Sequence, residues 1–579
     1  MEKTLLLIIF LTTNFFYAQH TAIPDTVFEQ ELINLGIDSD GIINGQVLNS
    51  DIIAVHSLNL NNTRSFIHDL SGIEGFINLD TLICRQQVLN QIDLSANTKL
   101  KYLDVYQAGL HSLDVSNLPL LEVLKCGNEV QFDYVCDCFN NIDTLDLTNN
   151  LYLRKLQCNN NGLDNLLLPN SSNLEYIEAV YNNLMNFDAT MLPNLKYLDL
   201  SFDNLQNINI TNCSELEYLN IKFNHLSSVN LTNNHRLISL DVNKNGLTSL
   251  DLSNNLLLEE LYLGYFFIER GVISEPLGYS DNIFQDSLNI NQLTNLRILL
   301  ARKVGLLQID LSNNRELEIL NISKNMLYNI DVTHNEMLKS LNAKDCYLTN
   351  INLSHNLQLE ELFLGFQSRF PDTSTQFLNV IPSLDLSANL ALKTLFVENI
   401  QLADLDITHN SQLDYIVISH NPITNFSIEN NFVVRYLYCN NTELETLDLQ
   451  NGHNDILLRM VATQNPNLTC IQVDDLVYTN NNAWQKDQGA TYATNCATQV
   501  INEYEAERIG IYPNPAHGLL NISYNGVVDK LAIFSLSGQE IISKENIYKT
   551  INISQLRQGV YIVEIYIGKQ IIRKKLLVE

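Results

Sequence analysis

The chain has 579 residues, 45% of them hydrophobic, enough apolar surface for a large buried core and a length that suggests roughly four ordinary domains. Its 34 Lys and Arg stand against 65 Asp and Glu, and the formal charge of −31 repels phosphate backbones and anionic lipid headgroups alike. Nucleic-acid and membrane-surface binding are disfavoured on that ground, and 22 glycines leave little for the phosphate-cradling loops of nucleotide enzymes.

Residues 1–18 read as a secretory signal peptide: Lys3, an apolar run from Leu5 to Phe16, then Tyr17-Ala18-Gln19. The run is shorter than the ~20 residues of a bilayer span, and no later stretch is long enough, so no transmembrane segment is expected. Export would permit disulfides. Residues 19–57 are expected to form an N-terminal cap. Asp25 can cap a short helix with Phe28, Leu32, Ile33 and Leu35 on one side and Gly36 as its stop signal. Asp38-Ser39-Asp40-Gly41 invites a calcium reading, but an EF-hand loop needs Gly sixth and Glu twelfth, where Ile43 and Asn49 stand; no metal or other cofactor is expected.

From residue 58 to 475 one phrase returns, as in Gln91-Ile-Asp-Leu-Ser-Ala-Asn97, Ser249-Leu-Asp-Leu-Ser-Asn-Asn255 and Gln308-Ile-Asp-Leu-Ser-Asn-Asn314. Its central Asp recurs mostly every 21 residues; steps of 32, 38 and 33 mark insertions of 11, 17 and 12 residues near 126–139, 264–286 and 365–380. Each period has halves of 10 and 11 residues with alternate apolar positions, such as Leu219 and Ile221, then Val229 and Leu231, and each half predicts a short strand. Each half ends in Asn, a side chain able to replace missing backbone partners at a turn. One coil cannot bury its own leucines, but some seventeen stacked coils share a continuous core, which makes this β-rich region with little helix a solenoid. The pattern LxxLxLxxNxLxxLDLxxN resembles the leucine-rich-repeat family, specifically the secreted bacterial class with the nested 21-residue repeat. The resemblance implies that the first half-coil supplies the concave sheet.

Cys84, Cys126, Cys158 and Cys439 occupy strand-leucine positions and Cys213 and Cys346 occupy Asn-ladder positions, so these six read as buried free thiols. Cys136 and Cys138 lie in the first insertion with too few ligands nearby for zinc. Cys470 and Cys496 bracket the end of the solenoid and Trp484, and a disulfide stapling a C-terminal cap over 476–496 is the preferred reading. Residues 497–509 read as a polar linker. Residues 510–579 follow with short strands near 519–524, 530–535, 550–553, 560–566 and 570–578, suggesting a small C-terminal β-sandwich. This tail carries Tyr512-Pro-Asn-Pro-Ala, Ile533-Phe-Ser-Leu-Ser-Gly-Gln-Glu-Ile, Gln558-Gly-Val-Tyr-Ile-Val and the basic ending Arg573-Lys-Lys. It resembles the C-terminal sorting domain of the type IX (Por) secretion system. The resemblance implies recognition by the translocon, removal by a sorting peptidase, and release from or attachment to the outer surface of a Gram-negative cell.

No HExxH, GxSxG, Walker loop, GxGxxG or metal-spaced Cys/His group occurs, so no catalytic residue is named and the chain is expected not to be an enzyme. The recurrent Asp of LxxLDL points outward and is expected to be relieved by turn hydrogen bonds, interspersed Asn or cations. On the other half-coil, one outward column contains Tyr102, Tyr176, Tyr197, Tyr218, Tyr415 and Tyr436. The column beside it contains Glu178, Asp199, Asp241, Tyr262, Phe363, Phe396 and Tyr438. Aromatics beside carboxylates are what a protein or glycan interface uses, although cross-strand packing alone also produces such columns. The expected function is therefore non-enzymatic recognition of a protein or polysaccharide by a secreted or surface-displayed chain. A structural surface spacer is the alternative, and a hydrolase a more distant one.

Overall fold

The computed structural model describes residues 20–61, 65–129, 138–264, 280–285, 288–365, 379–480, 483–496, 509–524, 528–547, 549–567 and 570–579. Residues 1–18, Cys136, the linker and the middles of the three insertions lie outside this set in whole or in large part. The chain divides into two compact units, one through Asn421 and one from Pro422 onward.

The first unit begins with the helix Thr26–Asn34, because Asp25 Oδ1 accepts the otherwise unsatisfied N–H groups of Val27 and Phe28 at 2.8 and 3.0 Å. Asp25 Oδ2 meanwhile accepts from the N–H groups of His68 and Asp69 at 2.8 and 3.1 Å, tying the helix to the first coils. Phe28 and Leu32 are fully buried. Leu35, expected on the same face, is exposed: it is the C-cap residue, and the chain turns away at Gly36 with φ 70°.

A parallel sheet then runs from Ser57–Asn59 to Tyr415–Val417, with strands of three residues each. Coils of equal length place equal sequence positions side by side, so Tyr176, Tyr197 and Tyr218 are direct neighbours, as are Ile177, Leu198 and Leu219. The middle residue faces inward and is fully buried, as at Leu156, Ile177, Leu198, Leu219 and Leu240. At ~25 cal/mol per Å² of buried apolar area, this repeated leucine is the main stabilising term, and it is realised only between neighbours. The stack has about 19 turns, not seventeen: the sequence count left out the end coil at Ser57–Asn59, whose recurrent acid is Asp69 accepting the Ser71 N–H at 2.8 Å, and the one at Trp484–Lys486, where Ala493 takes that place. The second half-coil differs from expectation. It forms paired strands at Thr144–Asp146 with Asn165–Leu167 and at Asn186–Asp188 with Asn207–Asn209, but forms none at Asn230, Asp251 or Asp310. The side-chain oxygen accepts its own i+2 N–H in both cases, Asp251 from Ser253 and the strand-forming Asp146 from Thr148, each at 2.9 Å, so the turn is kept whether or not the strand pairs.

Most coils described at this point turn at a residue five beyond the start of the strand, where the backbone enters the left-handed region without glycine: Tyr181 (φ 56°), Phe202 (59°), Phe223 (53°) and Lys244 (54°) among them, though not Asn128. The next residue is in several coils a buried hydrogen-bond donor, whereas Val304 and Ile400 fill the place with apolar side chains and Asp203 with an acid. Asn182 Nδ2 donates to the carbonyls of Ala179 and Cys158 at 2.9 and 3.2 Å, and Asn224 to Ile221 and Leu200 at 3.0 and 2.8 Å. Cys346 fills the same column by donating its thiol to Ile322 O at 3.3 Å, and Cys213 does so in the second column with Ala189 O at 3.4 Å.

Burial pushes the Cys126, Cys158, Cys213, Cys346 and Cys439 thiols up, that of Cys213 to about 12. Thiolate is the reactive form. The six free cysteines are all buried, so Ellman's reagent is expected to leave them unreacted in buffer and to titrate them in denaturant. Rapid native labelling of any of them would contradict this packing.

The second unit opens with parallel strands Tyr436–Tyr438, Arg459–Ala462 and Trp484–Lys486, and with a second row from Asn425–Ser427 to Thr491–Ala493. A disulfide joins Cys470 to Cys496 across a sequence separation of 26. The tail is two antiparallel sheets closing on Leu520, Ile522, Leu531, Ile533, Val563, Ile565 and Leu576. The Asn514 side chain ties its own motif to the last strand, donating to Lys575 O at 2.7 Å and accepting from Leu577 N at 2.8 Å. Two tail strands, Gly510–Tyr512 and Glu540–Ile547, are absent from the sequence expectation; the second is the edge strand of its sheet and its charged residues mask the alternation.

Candidate binding surface on the parallel sheet

The strict 21-residue step turns one Tyr per coil into a continuous stack. Tyr176 and Tyr197 have ring centroids 4.3 Å apart and planes at 6°; Tyr197 and Tyr218 repeat this at 4.3 Å and 1°. The Lys155 ammonium lies 4.2 Å from the Tyr176 ring on the preceding coil. Tyr197 is therefore covered on both faces by rings, and Tyr176 by a ring and a cation. Burial pushes all three phenols up.

Two residues along each strand stands the carboxylate column. Tyr176 donates its hydroxyl to Glu178 at 2.8 Å, and the Gln157 and Asn159 amides donate to the same carboxylate at 2.7 and 2.6 Å. Asp199 accepts from Asn220 Nδ2 at 2.9 Å and from the Ser201 N–H at 3.0 Å, and desolvation holds its carboxyl above the ordinary range. Asp241, also raised by burial, faces Lys222 at 3.5 Å and accepts from Asn243 at 2.7 Å. Tyr262 donates to Glu260 at 3.2 Å.

The remaining candidates fall into separate surroundings. Tyr102 donates to Asp104 at 3.3 Å, beneath the Lys125 ammonium. Phe363 and Phe396 lie 6.4 Å apart with the Lys344 ammonium 5.0 and 4.0 Å from their rings. Tyr415 is half-buried in the first unit; Tyr436 and Tyr438 are half-buried in the second, with the Arg459 guanidinium 5.7 Å from the Tyr438 ring. Asp199 and Phe396, counted as outward positions, are only 8% and 7% exposed. They are walls of the surface rather than contact groups, because neighbouring coils in register cover them.

Two features escaped the sequence reading. Tyr181, Phe202 and Phe223 form a second stack on the corners of the same coils, with centroids 4.2 and 4.3 Å apart. Cys138 is disulfide-bonded. The Asp ladder on the opposite half-coil is held by turn bonds: Asp146, Asp331 and Asp406 accept the i+2 Thr hydroxyl at 2.7, 2.6 and 2.6 Å and, like Asp93, the i+2 N–H at 2.9 Å, and these bonds lower their carboxyls. Among the described residues no group of His, Cys, Asp and Glu is arranged to hold a metal ion, and no helix is long and apolar enough to cross a membrane.

Residues 510–579 match the family described as the secretion system C-terminal sorting domain. A leucine-rich-repeat protein of Leptospira interrogans superposes with a TM-score of 0.51 at 21% identity, covering 65% of this chain and 93% of that one. YopM from Yersinia enterocolitica superposes with a TM-score of 0.50 at 19% identity, covering 76% and 91%. The chain is a leucine-rich-repeat solenoid with a type IX sorting tail. The functional domain of InlJ from Listeria monocytogenes also aligns, at 20% identity and a TM-score of 0.47 over 97% of this chain and 99% of that one. No curated protein matches the sequence. The sorting tail marks the solenoid for type IX secretion or attachment at the cell surface.

Proposed function

We propose that this solenoid is a non-enzymatic binding protein, exported by the type IX system, whose ligand is a protein laid across the sheet from Tyr176 to Asp241. The observation that carries the reading is the covered state of the tyrosine faces. Carbohydrate recognition by aromatics uses a free ring face, whereas Tyr176 and Tyr197 offer only edges and hydroxyls. Rigid tyrosines already ordered by stacking lose little entropy on binding, as a protein interface requires. The translocon and the sorting peptidase would engage residues 510–579, and the solenoid would remain as the displayed part.

The test is a screen of the exported chain against host-matrix proteins, bacterial surface proteins and a glycan array, with the triple change Tyr176→Ala, Tyr197→Ala, Tyr218→Ala. Hot-spot aromatics contribute ~2 kcal/mol each, so the variant is expected to lose about 100-fold or more in affinity for a selectively bound protein while keeping its fold. Selective glycan binding without protein binding would reject the reading, and so would protein binding that the triple variant retains.

A further inference from the structure

The loop that opens with Asp38-Ser39-Asp40-Gly41 fails the EF-hand spacing, yet the fold brings acids to it from outside that spacing. Glu29 Oε1, on the cap helix, accepts the N–H groups of Asn44, Gly45 and Gln46 at 2.8, 2.7 and 3.1 Å, so the loop wraps around this carboxylate. Asp40 accepts from the Ile42 N–H and the Asn44 amide, each at 2.8 Å, and Asp51, on the short helix Asn49–Ile52, accepts the Ser39 N–H at 3.1 Å. Two oxygens are left over. Glu29 is fully buried and Asp38 is 4% exposed, and neither Glu29 Oε2 nor Asp38 Oδ2 has a hydrogen-bond partner. Asp203 carries one such oxygen in its corner; in the cap, two of them belong to acids close enough to act on each other.

No base is at hand to relieve them. Residues 19–57 hold six acids, Asp25, Glu29, Glu31, Asp38, Asp40 and Asp51, and no Lys or Arg; the first after Lys3 is Arg64. Burial first, and then the charges of Asp40, Glu29 and Asp51, raise the Asp38 carboxyl. A buried anionic oxygen without a donor is costly, and it calls for water, a proton or a metal ion. Oxygen donors without a task line the same loop: among the described residues, the carbonyls of Ser39 to Asn44 accept no hydrogen bond. A single proton relieves one carboxyl, whereas a divalent cation relieves both and takes the carbonyls as well.

We propose that the N-terminal cap binds one calcium ion between Glu29 and Asp38, with loop carbonyls and water completing its shell. No three acids converge on one point among the described residues, so the ion is held by two carboxylates and neutral oxygens. Calcium accepts roughly six to eight oxygens in irregular arrangements, whereas magnesium demands an octahedron and gives up its water reluctantly. Bound there, calcium joins the helix Thr26–Asn34 to the loop. Since Asp25 Oδ2 holds the N–H groups of His68 and Asp69, the ion also firms the end of the solenoid that the cap covers.

The experiment follows hydrogen exchange of the segment 26–46 in the metal-stripped full chain as calcium chloride, or magnesium chloride, is titrated in at constant ionic strength. It compares the parent with Glu29→Gln/Asp38→Asn, with Asp38→Asn alone, and with Asp310→Asn/Asp331→Asn on the exposed ladder, where Asn serves the same turn at Asn209 and Asn230. Protection is expected to rise with a Kd for calcium of about 0.1–1 mM, as in extracellular modules, and at least about 10-fold higher for magnesium. At about ten times Kd, calcium should slow exchange of the segment about 10-fold in the parent and in the ladder control. The double cap variant should lose this protection. Asp38→Asn, which leaves the three N–H bonds of Glu29 in place, should weaken calcium about 10-fold and keeps the test readable if the double change loosens the cap. No protection of the parent at about 10 mM calcium, protection that Asp38→Asn leaves unchanged, or an equal loss in the ladder control overturns the proposal. Protection gained on acidification but not with calcium also overturns it, and assigns the two oxygens to a proton.

Discussion

A Gly365→Ala chain is expected to unfold at a distinctly lower urea concentration than the parent, by about 1–3 kcal/mol or more, and Gly264→Ala to do the same. Both glycines stand two residues beyond the strand, Glu260–Tyr262 or Glu361–Phe363, from which an insertion departs. A Cβ on Gly365 would lie 2.1 and 2.2 Å from the Glu398 N and O, and one on Gly264 would lie 1.9 Å from the Arg302 O. These neighbours are backbone atoms of the next coil, so no side chain can swing aside and two coils must part. Parting them breaks bonds such as Leu364 N to Phe396 O at 2.9 Å and Leu263 N to Leu300 O at 2.8 Å. Because each coil is stabilised by its two neighbours, the damage should be local, seen as a new protease-sensitive site before global unfolding. The control is Gly489→Ala, whose Cβ would meet nothing within 4 Å. Equal midpoints for Gly365→Ala and Gly489→Ala would refute this account of the insertion roots.

An Asp203→Asn chain should be more stable at neutral pH by about 1–3 kcal/mol, the cost of a buried polar group left without a partner. Asp203 occupies the corner donor column between Asn182 and Asn224 and is 1% exposed. Its Oδ1 accepts from the Leu184 N–H at 3.2 Å, but Oδ2 has no partner, and the repeat directs it at backbone carbonyls, which only accept. Burial therefore raises its carboxyl well above the ordinary 3.8. Below 3.8 folded and unfolded chains are both protonated and the residue is neutral in effect. Above it the unfolded chain releases a proton that the folded chain retains, so stability falls with rising pH until the folded group also ionises. The stabilisation by Asn should accordingly be small near pH 3.5 and grow through pH 7, measured as the difference in urea midpoints. A difference independent of pH would show that Asp203 is not the group responsible. Asp93, Asp146 and Asp331, lowered by their turn bonds, act oppositely: their stabilisation is present above the unfolded value and is lost on acidification.

The solenoid was legible because 21 residues is both the sequence period and the physical period, so alternation at Leu219 and Ile221 translates directly into a buried strand. The tyrosine stack follows from the same arithmetic. Tyr181, Phe202 and Phe223 recur with equal regularity yet went unread, since period-2 counting stops at the strand and a left-handed corner is not where aromatics are expected. Asp203 was invisible for a related reason: an acid in an Asn column reads as surface until the column is known to be a row of donors facing carbonyls. Which outward positions are covered was also illegible, because the cover on Asp199 and Phe396 comes from neighbours whose spacing only the fold supplies. The glycines of the shared Leu-Gly lead-ins were visible, but their reason is a contact with the following coil.

One column remains, the residue just before each strand. In successive coils it reads Glu259, Arg297, Glu318, Lys339, Glu360, Lys393, with Arg297 Nη1 3.6 Å from Glu259, its Nη2 2.8 Å from Glu318, Lys339 2.7 Å from Glu318 and Lys393 2.7 Å from Glu360. Singly, such exposed pairs contribute little. Together they give the stack a parity. A repetitive chain can misassemble by skipping a coil, since one leucine-lined coil can stack on another; here a skip sets Glu on Glu, or Lys on Arg, at the junction it creates. The alternation thus works as an error check on the order of assembly, a task that an apolar core without charge cannot perform for itself.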